Sequence, residues 1–157
     1  MEGLDMTKTV TVYLLDPEAG TIQTVEIDAR SAFAQTYTLI GCELVQVVPF
    51  DSHHVLVIDE DGLQDGLTSF TIADGYPQPL AGKIVLVGAQ NGEHFTPLQM
   101  TIEDAAKLFT VCKPVLDPVF ASIDETTMKG VILAGFLTGL QTRITRTMPT
   151  VMAGVKK

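Results

Sequence analysis

The sequence is short of charge. Charged residues make up 18% of its 157 residues and apolar ones 46%, where a globular domain usually carries roughly 25% charged residues. A chain of this composition is not disordered; it needs a generous core or an interface to hide its apolar side chains. Cysteine is almost missing. Cys42 and Cys112 stand far apart in apolar segments, too few for a disulfide framework or for a zinc site on their own. Buried thiols in a reducing cytoplasm are expected. Positive charge is scarce, with 10 Lys and Arg against 19 Asp and Glu for a net charge of −9. That balance repels nucleic-acid phosphates, so no DNA partner is expected.

Long hydrophobic runs are missing as well. The longest apolar stretch, Val131 to Leu140, is interrupted by Gly135 and Gly139 and is about half of the roughly 20 residues that a membrane span needs. No membrane association is expected. The opening MEGLDMTKTV has neither a basic nor an apolar signal region, so no signal peptide is expected. Acid is absent after Glu125, while Lys129, Arg143, Arg146, Lys156 and Lys157 supply half of the positive charge. The result is an acidic body with a mildly basic tail.

The chemical motifs are missing too. No Gly-x-Gly-x-x-Gly dinucleotide fingerprint occurs. Gly82-Lys83 has Pro77 where a phosphate loop needs glycine and Ile84 where it needs Ser or Thr. Aligning Gly62 with the turn glycine of a calcium loop puts Val57 and Thr68 at ligand positions, so Asp59-Glu60-Asp61-Gly62 reads as a solvated turn. His53 and His54 point to opposite faces of an extended chain, and with His94 they are the only histidines. No metal or cofactor is expected, and no catalytic residue is assigned. An enzyme would need a constellation gathered from distant positions.

What is present is punctuated strand pattern. Thr9 to Leu14 and Thr21 to Ile27 alternate polar and apolar residues around Asp16-Pro17-Glu18-Ala19-Gly20, which predicts a hairpin. A short helix is expected from Ser31 to Ile40, with Gly41 as its stop and Phe33, Tyr37 and Ile40 on one face. Strands are expected at Cys42–Val48, at His54–Ile58 and, shorter, at Phe70–Ala73. The continuous apolar run of Lys83–Gly88 predicts a strand covered on both faces, and Asn91-Gly92 predicts a hairpin turn. Thr101 should cap a helix running to about Val111. A last helix is expected from Asp124 or Thr126 to Thr147, held by packing because its glycines weaken it. The expected fold class is α+β: an antiparallel β-rich body with two or three helices, the last one a C-terminal arm. Residues 1–8 form a leader, 9–112 the α+β body, and 113–157 a helical arm packed on the body or on another subunit.

The loop Gly75-Tyr76-Pro77-Gln78-Pro79-Leu80-Ala81-Gly82 stands out because two prolines and its glycines rule out helix or sheet interior. Tyr76, Gln78 and Lys83 would offer an aromatic face, an amide and a cation, a combination that can stack on a base and meet a phosphate. On the arm, Val131, Leu133, Phe136, Leu140 and Arg143 are the candidate interaction residues.

Several segments in order carry a resemblance: Tyr13-Leu14-Leu15-Asp16-Pro17, Leu39 to Val48, Val57 to Leu63, and Gly75 to Lys83 ahead of the strand ending at Gly88. Over about residues 9–112 the chain resembles a family of small bacteriophage, plasmid and mobile-element proteins catalogued only as a domain of unknown function. The resemblance implies a mobile-element origin and a bacterial cytoplasm, and it brings no catalytic residues. The first expectation is a non-enzymatic accessory protein that binds and inhibits or redirects a host factor, including a defence component. Its partner would be a host protein or a second copy in a homo-oligomer. The alternative is a small-molecule binder that sequesters a nucleotide or nucleotide-derived signal.

Overall fold

In the computed structural model of the chain, residues 9–61, 69–91, 94–121 and 136–152 are described. The first hairpin forms where the alternation places it, as β1 (Thr9–Asp16) and β2 (Thr21–Asp28), paired from Thr9 opposite Asp28 to Asp16 opposite Thr21. The Asp16 carboxylate holds the turn by accepting the N–H groups of Glu18 at 3.0 Å and Ala19 at 3.2 Å. Gly20 closes it at φ 72°, a conformation that costs glycine little.

Helix α1 (Ala32–Ile40) follows and stops as expected, with the Gly41 N–H donating to the Tyr37 carbonyl. Its start differs. Ser31 makes no side-chain cap; instead its Oγ accepts from Gln35 Nε2 at 2.7 Å. The deepest stripe of α1 is Ala32, Thr36 and Ile40; the small Ala32 and Thr36 let the helix approach the sheet, and Ile40 fills the second core. Phe33 and Tyr37 flank it edge to face, 5.7 Å apart.

The remaining elements are β3 (Val45–Pro49), β4 (His54–Asp59), β5 (Phe70–Ala73), β6 (Leu80–Ala81), β7 (Ile84–Gly88), β8 (Gln90–Asn91), β9 (His94–Phe95) and α2 (Ile102–Ala106), then β10 (Phe109–Ala121), β11 (Phe136–Thr147) and β12 (Thr150–Met152). A six-stranded sheet runs in the order β12-β2-β1-β7-β4-β3. All five residues of β7 are buried, and the reason is its position between β1 and β4. Period-two geometry sends Ile84 and Leu86 into one core with Leu15 and Leu56, and Val85 and Val87 into another with Val12 and Val57. Ala73, Leu80, Ala106, Phe109 and Val111 belong to the first core, while Ala32, Ile40 and Phe95 belong to the second. Gly88 ends β7 under close constraint, since a Cβ there would lie 1.9 Å from the backbone oxygen of Thr96.

The expected α+β class with a helical C-terminal arm is overturned. The described chain is strand-rich, and α1 and α2 are the only α-helices among the described residues. Its large sheet is mixed rather than antiparallel, because β12 runs parallel to β2 with Thr150 opposite Thr21. The helix expected from Thr101 to Val111 is only Ile102–Ala106. Thr101 does cap it, accepting the Asp104 N–H at 3.1 Å, but Phe109 to Cys112 leave it to pair with β5. Phe109 and Val111, two residues apart, fill the core better on a strand than on a helix.

The last expected helix is likewise replaced: Phe136–Thr147 is β11, and residues 122–135 lie outside the described residues. Thr138, Thr142, Ile144, Thr145 and Thr147 are β-branched and favour a pleated strand. The glycines that weakened the helix were the local warning, and a neighbouring strand decided the matter.

The chain divides into two units, residues 1–113 with 146–157, and residues 114–145. The first holds the six-stranded sheet, both cores and the pairing of β5 with β6 and with the start of β10. In the second, the remainder of β10 lies beside β11. None of its described side chains is buried. Among the described residues no helix is long and apolar enough to cross a membrane.

Candidate functional site

The Gly75–Lys83 segment is anchored at its base. The Asp74 N–H donates to the Leu108 carbonyl at 2.9 Å, and the Tyr76 N–H to the Ala73 carbonyl at 3.0 Å. Gly75 at φ 82° and Gly82 at φ 84° make the bends that residues with side chains rarely adopt. Leu80 and Ala81 pair with Thr71 and Phe70, which makes β6 a two-residue edge strand, the place that a sheet allows a proline-rich segment. Tyr76 packs half-buried against the first core.

Beside this loop is a cleft of about 220 Å³. Its apolar floor includes Ile58 and Leu80, and its polar lining is Gln46, Asp59, Glu60, Tyr76 and Gln78. Tyr76 and Gln78, two of the three expected ligand residues, are therefore brought together. Lys83 is not in the lining. β3 and the end of β4 supply what sequence reasoning missed. Asp59 also takes the Asp61 N–H at 3.0 Å, and the Glu60 backbone N–H donates to Leu44 at 3.0 Å. The acids looked like a solvated turn because no spacing rule links residues 59 and 60 to 76 and 78. Only the paired strands do so.

The chemistry of the cleft follows from that lining. Two carboxylates, two amides and a phenol ring suit a cationic or neutral polar group. The ring face can hold a cation, and a carboxylate can accept a guanidinium bidentately. A phosphate would meet Asp59 and Glu60 without Lys83 to offset them. None of the lining residues is a serine, cysteine or histidine, so the nucleophile–imidazole pairing of hydrolases is not built here.

The one buried histidine is fully committed elsewhere. His54 is 3% exposed. Its Nδ1 lies 2.9 Å from Asp51 Oδ1, and its Nε2 accepts the Gln99 backbone N–H at 3.0 Å. An Nε2 that accepts leaves the proton on Nδ1, so His54 clips the 51–54 turn to the segment before α2. Burial pushes the Asp51 carboxyl up, but hydrogen bonds from His53 and His54 outweigh it and hold the group below its usual range. His53, next in the chain, is exposed. Burial also raises the Tyr13 hydroxyl, helped by Glu103; that hydroxyl donates to the Met100 carbonyl at 2.8 Å. Burial raises the Cys112 thiol, against the opposing pull of Arg146.

Of the expected interaction residues, Val131 and Leu133 lie outside the described residues. Phe136 opens β11. Leu140 is 61% exposed, and Arg143 Nε lies 2.6 Å from Asp117 Oδ2 on β10.

A family model described as a domain of unknown function, DUF3846, matches residues 9–110. The chain belongs to this family. The match takes in both walls of the cleft, β3 and β4 on one side and the 76–81 loop on the other. Two curated relatives match over more of the chain than the family model does. The chain is 49% identical over 143 residues to "Uncharacterized protein y4iR" of Sinorhizobium fredii (strain NBRC 101917 / NGR234), covering 90% of this chain and 88% of that protein. It is 45% identical over 127 residues to "Protein PsiB" of Rhizobium leguminosarum bv. phaseoli, covering 81% of this chain and 95% of that protein. No solved structure matches the chain.

Proposed function

We propose that this chain is a non-enzymatic accessory protein, carried by a mobile element, that acts in the bacterial cytoplasm by binding a host factor and inhibiting or redirecting it. The observation that carries this reading is the cleft, where Asp59 and Glu60 flank Tyr76 and Gln78. At about 220 Å³ it is smaller than the roughly 300–1,000 Å³ of a typical small-molecule pocket and suits a single side chain of a larger partner. An arginine or lysine from a basic surface fits its charge. The net charge of −9 would steer such a surface toward it. A host protein that normally grips nucleic-acid phosphates presents that kind of surface.

The test is capture of host proteins on the immobilised full chain, run side by side with Tyr76→Ala and with Asp59→Asn combined with Glu60→Gln. A basic partner should be held by the wild type, lost at least tenfold in both variants, and weakened by salt. Equal capture by wild type and variants would sink the cleft as the contact. Steady turnover of any nucleotide offered would overturn the non-enzymatic reading.

Tyr76 and Gln78 lining one cleft also favour a second reading, a small-molecule binder. Because the carboxylates oppose a phosphate, the ligand would be the base or nucleoside part of a nucleotide-derived signal. A thermal shift with nucleosides but not with nucleotides is the expected pattern; no shift with either removes this reading.

A further inference from the structure

β3 is the outermost strand on one side of the six-stranded sheet. Its bonding to β4 fixes which of its backbone groups are left over. The Glu60 N–H donates to the Leu44 carbonyl at 3.0 Å and the Phe50 N–H to the His54 carbonyl at 3.2 Å, in register with Val45 opposite Asp59 and Pro49 opposite Val55. Leu44, Gln46, Val48 and Phe50 therefore bond inward to β4. The alternation of an antiparallel ladder then turns the N–H and C=O groups of Val45 and Val47 outward. Among the described residues no strand lies beyond them. Pro49 ends this open edge, because it has no N–H to offer. A free edge is a template for one more strand.

The cleft lies along the same edge. Gln46, between the two valines, lines it, and Val48, on the same face, enters the first core. A strand laid antiparallel on β3 would exchange hydrogen bonds with Val45 and Val47. Its residue opposite Gln46 would carry its side chain on the cleft face. We infer that the host factor is held through an extended segment that adds to β3 in this way. An arginine or lysine opposite Gln46 enters the cleft, and an apolar residue covers Leu44, which is 51% exposed. This mode of binding rests on the cleft being the contact proposed above, and it specifies the conformation of what the cleft holds. Backbone hydrogen bonds supply affinity and alternate side chains supply specificity. Charge selects the occupant. Glu43, Glu60 and Asp61 are exposed at the end where β3 begins, and β3 itself carries no charged side chain. Lys83, just ahead of β7, is two strands further in. A second copy of this chain would bring a further net charge of −9 to this edge, whereas a basic segment is attracted to it.

The test uses the isotope-labelled full chain with a synthetic peptide, acetyl-Thr-Val-Thr-Arg-Thr-Leu-Thr-amide, and separately with N-acetylarginine amide. The small compound probes the cleft alone, and the peptide probes cleft and edge together. The peptide should slow hydrogen exchange of the Val45 and Val47 amides at least tenfold. Methylating the backbone nitrogens of the two threonines beside its arginine should weaken it at least tenfold, and so should replacing that arginine by glutamine. Val47→Pro should weaken it as much. That substitution removes only an outward N–H, so the melting transition should stay near that of the wild type. The resonance shifts that N-acetylarginine amide causes at Gln46, Tyr76 and Gln78 should also persist. A peptide that binds no more tightly than N-acetylarginine amide, or equally well after methylation, overturns the added strand and leaves the cleft as a contact. No shift with either compound removes both.

Discussion

β7 and β11 make an instructive pair. Both carry apolar side chains on a strand, yet every residue of β7 is buried and no described side chain of β11 is. The difference lies in their neighbours rather than in their composition. β7 has a strand on each side and a packed core on each face, so its four consecutive apolar residues alternate between two cores. β11 has β10 beside it and three apolar side chains of its ribbon open to solvent at 41% or more. Burial is a property of the assembled layers, and a run of residues acquires it only when layers form around it.

The contrast can be broken from the body side first. Gly88→Ala should have the largest effect. Its new Cβ meets the Thr96 backbone, which cannot rotate away, so a loss of about 3 kcal/mol or more is expected in urea unfolding. Leu86→Ala, in the centre of β7, should cost about 2–5 kcal/mol by leaving a cavity. An effect near zero at either position would mean that the two cores are not packed as described.

A smaller effect is expected at the clip between the 51–54 turn and Gln99. Asp51→Ala leaves the His54 Nδ1–H without its acceptor and should cost about 1–2 kcal/mol at neutral pH. The pH dependence has a definite sign. The Asp51 carboxyl is held below the ordinary carboxylate value of 3.8, so its stabilisation is fully present above that value and is lost as pH falls through the lower folded-state one. Wild type and variant should therefore converge in acid, and a gap that widens there would contradict the assignment.

The smallest effect belongs to the ribbon. Leu116→Ala removes as large a side chain as Leu86→Ala does, but from a residue that is 61% exposed. Measured on the dilute chain, it should change stability by no more than about 0.5 kcal/mol. A loss comparable to that at Leu86 would show that Leu116 is covered within one chain.

The sequence made the first hairpin, α1 and its Gly41 stop, and the buried character of β7 legible, because each rests on local chemistry. Alternation, a left-handed glycine and an unbroken apolar run each have a meaning within ten residues. It misread Phe109–Val111 and Phe136–Thr147 as helix. There the local signals were weak, and pairing with β5 and β10, far away in sequence, decided the conformation. The site divides in the same way. Tyr76 and Gln78 were visible as members of a rigid proline–glycine loop. Gln46, Asp59 and Glu60 were not, since only the tertiary structure brings the ends of β3 and β4 beside that loop. Their arrival also changed the chemistry expected there, from phosphate to cation.

By itself, then, the sequence determined the acidic charge, the turns and the strands whose pattern is complete within their own length. The tertiary structure decided which of two conformations an ambiguous segment takes, which apolar faces find cover, and which polar side chains meet. Those outcomes depend on contacts between residues that no local energy brings together.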